Sequence, residues 1–339
     1  MSDKKTENFV VGMDIGYSNL VASFGFSDQT KPERTTILPA GAGPLALLPR
    51  DVMGGHSLDG AALVQIDGES WVAGVQPERL SGKSRELHED YPATDVYRAL
   101  FYATLALAER EVIDVLVTGL PVNQYSDQAL REKLAERLKG KHQVTAKTSV
   151  TVKDVYIVPQ PAGTYLTALQ ETSAGDPLAD SLDSGLTLVL DPGFFSVDWV
   201  AFENGDMGAD TAGTDLRAMS RVLDATADLM HEDYGIRPTV HRIEAAVRAG
   251  RKDIVFQGKR VDFEEYFKKA SKAVADSVLV TLRSSLRDKA GSSIDAIIAG
   301  GGGGASYIDS AKEAFPNAIV TTVSDPVTSN SVGFWHCAR

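Results

Sequence analysis

Short apolar runs bounded by glycine, proline and polar residues alternate along this chain with longer segments whose apolar residues recur at helical spacing. Phe9 to Met13 and Leu20 to Phe26 flank Asp14-Ile15-Gly16, a pattern of strand, tight turn and strand. Residues 35–72 continue in apolar pieces broken by Pro39, Pro44, Pro49, Gly54-Gly55 and Gly68, which predicts further strands and loops. Asp95 to Arg110 has the periodicity of a helix, with Thr94 or Asp95 as its N-cap. Val112 to Leu120 predicts a buried strand, and Asp127 to Leu138 a helix that Gly140 could terminate. Val150 to Val158 predicts another strand, running into Pro159-Gln160-Pro161.

After a polar stretch, Thr172 to Ser184, which reads as a linker, the opening pattern recurs. Leu186 to Leu190 is apolar, Asp191-Pro192-Gly193 turns, and Phe195 to Phe202 predicts a return strand. Helical spacing follows at Leu216 to Met230 and His241 to Ala249, then a hairpin at Ile254 to Phe263 turning on Gln257-Gly258. Glu264 to Lys289 predicts a long helix, Ile294 to Ala299 a strand, and Ser306 to Phe315 a helix after the run Gly300 to Gly304. Asn317 to Val323 predicts the last strand, and Pro326 to Trp335 a closing helix with proline at its start. Alternating strands and helices predict an α/β fold. The recurrence of strand, Asp-x-Gly and strand at the start of each half predicts two related domains.

Composition narrows the classes. A chain of 339 residues exceeds what one hydrophobic core usually organises. Its formal net charge of −12 argues against broad direct contact with DNA. One cysteine, Cys337, excludes an intramolecular disulfide framework and suits a reducing compartment, hence a cytoplasmic location. The polar segment Met1 to Asn8 has neither the apolar region of a secretion signal nor an amphipathic anchor, so no membrane partner is expected. The six histidines show no zinc-type spacing.

Three segments carry candidate chemistry. In Val10-Val11-Gly12-Met13-Asp14-Ile15-Gly16-Tyr17-Ser18-Asn19, a carboxylate ends a strand and can face a metal. Gly16 allows an anion close to the backbone, and Ser18 and Asn19 offer donors to phosphate oxygens. By itself this is also an ordinary Asp-x-Gly hairpin. Leu188 to Asp198 repeats the arrangement, with Asp191, Gly193 and Ser196 in matching places. Two such hairpins could clamp a nucleotide's phosphates from opposite sides, with Asp14 and Asp191 on a hydrated magnesium ion. The third segment, Gly300 to Gly304, joins an apolar strand to an amphipathic helix and would let a flat ligand lie on the backbone. The same residues also read as a relaxed dinucleotide fingerprint, Gly300-x-Gly302-x-x-Ala305, with Asp325 ending the next strand. Too few residues follow Asp325 for the rest of such a sheet. Gly82-Lys83-Ser84 lacks the earlier glycine and strand of a P-loop, and Gly41-x-Gly43-x-x-Ala46 lies in a proline-rich loop and opens no helix.

Taken in order, these residues resemble the actin, sugar kinase and DnaK-type chaperone ATPase superfamily. Asp14-Ile15-Gly16 resembles its first phosphate motif and Asp191-Pro192-Gly193 its second. Val158 to Gly163 resembles the first connecting segment, Gly300 to Gly304 the adenosine motif, and Asp325 to Phe334 the second connecting helix. Gly213-Thr214-Asp215-Leu216 resembles the start of the first helix in the second half of actin. The chain's compactness and the Gly258 hairpin are similar to the ParM/StbA plasmid-segregation group.

That resemblance implies two actin-like (ribonuclease H-like) domains, over 1–158 and 159–323, with 324–339 returning to the first, and a nucleotide cleft flanked by both. It implies ATP and Mg2+ as cofactors. Asp14 and Asp191 would act through the metal, with Asp198 a further candidate, and Gln160 would orient the attacking water. Gly16, Tyr17, Ser18, Asn19, Gly193 and Ser196 would contact phosphates, although the bulky Pro192 and Phe194-Phe195 depart from the usual small residues of the second motif. Gly300, Gly301, Gly302 and Gly303 would face adenine and ribose. The implied activity is ATP hydrolysis coupled to a homopolymeric filament, acting on plasmid DNA through a DNA-binding adaptor. The alternatives are a non-polymerising kinase or regulatory ATPase of the same fold, and the dinucleotide-binding enzyme.

Overall fold

The computed structural model describes residues 7–50, 54–81, 90–208, 211–286 and 294–338. Gly82-Lys83-Ser84, most of the segment Met1 to Asn8, and the last residues of the helix expected to reach Lys289 lie outside the described residues. The chain divides into two compact units, 1–173 with 323–339, and 174–322. The first therefore extends past the expected boundary at 158, because the helix Gln160–Glu171 packs on its own sheet and on the C-terminal helix Ser329–Cys337.

In the first unit the strands are β1 (Phe9–Ile15), β2 (Asn19–Phe26), β3 (Arg34–Pro39), β4 (Gly41–Pro44), β5 (Ala62–Ile66), β6 (Glu69–Val75), β7 (Val112–Leu120), β8 (Gly140–Gln143) and β9 (Ser149–Pro159). The main sheet runs β3-β2-β1-β7-β9-β8, and β4-β6-β5 form a smaller one. Side chains alternate across β1 with a period of two. Phe9, Val11, Met13 and Ile15 enter the core that also holds Tyr97, Leu100, Phe101 and Leu105 of the helix Asp95–Leu107. Thr94 caps that helix by accepting from the Tyr97 N–H at 3.2 Å. Gly12 and Asp14 fall on the opposite face, and Gly12 lies directly against the backbone of the C-terminal helix. Asp127 caps the helix Gln128–Leu138 by accepting from the Leu130 N–H at 3.1 Å. Gly140, at φ 104°, opens β8 just after it.

The second unit contains β10 (Leu186–Pro192), β11 (Val197–Glu203), β12 (Asp206–Met207), β13 (Gly213–Asp215), β14 (Asp253–Phe256), β15 (Lys259–Asp262), β16 (Ala296–Ala299) and β17 (Ile319–Thr322). Its sheet runs β12-β11-β10-β16-β17, with β13 also on β11. This repeats the order β3-β2-β1-β7-β9: an antiparallel meander of three strands whose first strand continues into parallel neighbours. Leu188, Leu190 and Ile297 pack on Leu279, Leu282 and Leu286 of the long helix Glu264–Leu286. The β14–β15 hairpin turns on Gln257 and Gly258, both at positive φ, and packs with the helices Met219–Tyr234 and Val240–Arg248.

Three further expectations change. The stretch Thr172 to Ser184 is not all linker, since Pro177–Ser184 is a helix capped by Asp176, which accepts from the Leu178 N–H at 2.8 Å. Gly213 to Asp215 is a strand rather than a helix start, and the helix begins at Met219. The closing helix starts at Ser329, beyond Pro326.

Candidate functional site

Both Asp-x-Gly segments form the same turn. In the first unit Ile15 pairs with Leu20, and the Gly16 N–H donates to the Asn19 carbonyl at 2.9 Å. In the second, Pro192 pairs with Val197, and the Gly193 N–H donates to the Ser196 carbonyl at 2.9 Å. Asp14 and Asp191 thus hold equivalent places at the ends of β1 and β10, as do Asn19 and Ser196 on the far side of each turn.

Asp14 is half-buried on the face of β1 that meets the C-terminal helix. Gln160 Nε2 donates to its Oδ1 at 2.9 Å, and Asn330 Nδ2 reaches Oδ2 at 3.5 Å. Burial, outweighing these two hydrogen bonds, pushes the Asp14 carboxyl above the ordinary carboxylate range. Gln160 occupies the first turn of its helix, so the end of β9 delivers it directly to the end of β1. Ser18 ties the turn to the link between β3 and β4, its carbonyl accepting from the Ala40 N–H at 3.0 Å. The Tyr17 ring stacks on Tyr91 with centroids 4.8 Å apart, so it anchors the turn to the core.

In the second unit Asp191 is buried, with Gly301 packed against it. A β-carbon at Gly301 would meet Asp191 Oδ1 at 2.3 Å, and Gly301 also sits at φ 63°. The Gly300 N–H donates to the Leu190 carbonyl at 2.8 Å and the Gly303 N–H to the Pro192 carbonyl at 2.9 Å. The glycine run therefore wraps the end of β10, and Gly300 and Gly303 are buried in that packing. Gly302 is exposed, and a β-carbon there would meet nothing within 4 Å. Of the four glycines expected to face a base and ribose, Gly301 and Gly302 remain accessible. Asp325 does not end the strand after the glycine run, because β17 stops at Thr322; Asp325 instead accepts from the Val327 N–H at 3.2 Å. That removes the acidic residue the dinucleotide fingerprint requires at a strand end.

Ser196 Oγ donates to Asp198 Oδ2 at 2.7 Å, and Thr214 Oγ1 donates to Asp198 Oδ1 at 2.6 Å. Asp198 is buried and organises the second hairpin through these hydroxyls. Residues without a local sequence signal also enter the first site. Asn330 approaches Asp14, and Thr164 of the Gln160 helix donates to Asn330 Oδ1 at 2.9 Å. Among the described residues, no cluster of three or more His, Cys, Asp or Glu side chains is placed to hold a metal ion. Magnesium asks less, since one or two carboxylates suffice when water and phosphate complete its shell.

A family model described as actin-like proteins, N-terminal domain, matches residues 12–163, and one described as archaeal actin homologue MreB-like, C-terminal, matches residues 189–314. Together they span well over half of the chain. It belongs to the actin-like proteins. Solved structures share this two-domain fold over nearly the full length. A ParM filament from Clostridium botulinum superposes with a TM-score of 0.72 at 16% identity, covering 98% of this chain and 99% of that one. The archaeal actin homologue Ta0583, in complex with ADP, gives 0.72 at 17% identity, covering 97% and 99%. The actin-like protein Alp7A gives 0.69 at 12% identity, covering 98% and 96%. No curated protein matches the chain by sequence. No helix among the described residues is long and apolar enough to cross a membrane.

Proposed function

We propose that this actin-like protein binds Mg-ATP, hydrolyses it and assembles with copies of itself into dynamic cytoplasmic filaments that segregate plasmid or other DNA. The observation that carries the reading is the hydrogen bond from Gln160 Nε2 to Asp14 Oδ1 at 2.9 Å. It joins a neutral amide suited to orienting water with a carboxylate suited to a divalent cation, at the edge of a phosphate-type hairpin. The twin turn at Gly193 supplies the second hairpin. The ADP bound to the archaeal homologue and the filament formed by the botulinum ParM support nucleotide and self as partners.

The residues present fit magnesium. Burial alone drives Asp14 toward proton uptake, and a divalent cation relieves the same unfavourable negative charge. Asp14 would hold the ion with its waters in the first unit, Asp191 is the matching carboxylate of the second, and the ion when bound would neutralise charge on phosphoryl oxygens. The Gly16 and Gly193 N–H groups are spent inside their own turns, so the remaining donors of each turn, Ser18 and Asn19 in the first unit, would serve the phosphates, and Gly301 and Gly302 leave the backbone open to the nucleoside. Gln160, its Nε2 on Asp14, has Oε1 to accept from a water molecule and orient it for in-line attack. Hydrolysis then weakens the contacts between subunits. With a net charge of −12, the chain reaches DNA through a basic adaptor protein.

Right-angle light scattering recorded together with phosphate release, after Mg-ATP is added to the purified chain, tests this. A scattering rise that decays as phosphate appears is expected. Phosphate release with flat scattering at every protein concentration would replace the filament with a non-polymerising kinase or regulatory ATPase.

A further inference from the structure

We propose that Asn330 is a positioning residue that fixes the Asp14 carboxylate, with Thr164 holding the Asn330 amide in place; this rests on the reading of Asp14 as a magnesium ligand given above. Asn330 and Thr164 are both buried, in the first turn of the C-terminal helix and the second turn of the Gln160 helix. Thr164 Oγ1 donates to Asn330 Oδ1 at 2.9 Å and lies 2.7 Å from Ser329 Oγ, while Thr167 Oγ1 donates to the Ser329 carbonyl at 2.7 Å. These contacts pin the start of the C-terminal helix to the helix that carries Gln160.

An asparagine amide can face either way, and its neighbours decide. A carboxylate can only accept, so the group turned toward Asp14 must be Nδ2, and Oδ1 is left for the Thr164 hydroxyl. Only one amide orientation satisfies both sides. The two carboxylate oxygens are consequently held by different helices, Oδ1 by Gln160 and Oδ2 by Asn330. The division matters for turnover. Gln160 shares its amide between Asp14, through Nε2, and the water it would orient, through Oε1, whereas Asn330 has no part in orienting water. Asn330 therefore keeps the carboxylate aimed independently of how Gln160 meets water. Outer partners of metal-binding carboxylates commonly set metal affinity in this way.

The test is a Mn2+ titration followed by electron paramagnetic resonance on the full chain with ATP, alongside ATP binding in EDTA and thermal melting. Asn330→Ala should weaken Mn2+ binding about tenfold. Thr164→Val, nearly isosteric, should shift it in the same direction, and Thr164→Ser, which keeps the hydroxyl, should restore it. Metal-free ATP affinity should stay at the wild-type value in all three. Unchanged Mn2+ affinity in both Asn330→Ala and Thr164→Val overturns the proposal while leaving the ATPase reading intact. Loss of metal affinity only in proportion to lost melting temperature and lost metal-free ATP binding also overturns it, by making the residues structural. A wild-type chain that binds neither ATP nor Mn2+ in its presence removes the functional reading and this inference together.

Discussion

A β-carbon placed on Gly333 would lie 1.8 Å from the carbonyl oxygen of Gly163, so the C-terminal helix and the Gln160 helix touch backbone to backbone. No side chain could be accommodated there without separating the two helices, and Asn330 and Gln160 ride on them. Gly333→Ala should therefore destabilise the first unit by about 3 kcal/mol or more, as overpacking against rigid backbone does. Urea unfolding would show it; a change within about 0.5 kcal/mol would mean that the helices separate at little cost.

Gly302→Ala provides the contrast. A β-carbon there meets open space, so stability should change by no more than about 0.5 kcal/mol. If the glycine run receives the nucleoside, the same substitution should weaken ATP binding severalfold. Calorimetric titration of ATP into the variant checks both expectations, and unaltered affinity would place the base elsewhere.

Gln160→Ala should leave ATP binding in place while slowing hydrolysis by roughly one to three orders of magnitude. Single-turnover phosphate release separates the two effects. Normal hydrolysis would show that another group orients the water.

Asp14→Asn should stabilise the nucleotide-free, metal-free chain at neutral pH, by a few degrees in Tm. The wild-type carboxyl is held above its ordinary value of 3.8 by burial, so the folded state binds that proton more tightly than the unfolded state. The charged form then costs stability at every pH above the raised folded value, and the cost disappears as pH falls through that value toward the unfolded one. The Tm advantage of the variant should accordingly shrink on acidification. An advantage that is constant with pH would show that Asp14 carries no burial cost.

Ser196→Ala should act mainly on stability. It removes a hydroxyl donor from the buried Asp198 carboxylate, a loss of about 1–3 kcal/mol. Denaturant unfolding of the variant is the measurement. If stability held while ATP affinity fell, the Ser196 hydroxyl would be a phosphate contact first and an Asp198 partner second.

The twin hairpins were readable from sequence because a strand's period of two, an aspartate and a glycine leave a local pattern, and the pattern occurs twice. The glycine run was readable for the same reason, although its sharing between ligand face and packing was not. Whether Gly303 is free or spent on the Pro192 carbonyl depends on the end of β10, more than a hundred residues earlier in the chain. Asn330 and Thr164 gave no signal, since an asparagine among serines in a short helix resembles a solvated surface. Their meeting with Asp14 is a product of three elements converging. The helix Pro177–Ser184 hid in a polar stretch because one turn-forming Asp-Pro and a few leucines are too little for a period to show.

The first unit is completed by residues 323–338, which are made only after the whole of 174–322. Trp335 and Phe334 fill its interior, and Gly12 on β1 lies against their backbone. During synthesis the amino-terminal sheet emerges before the helix Ser329–Cys337 that covers Gly12, and the later unit has its complete sequence first. Chain threading thus gives the second unit its full sequence before the first has the helix that fills its groove.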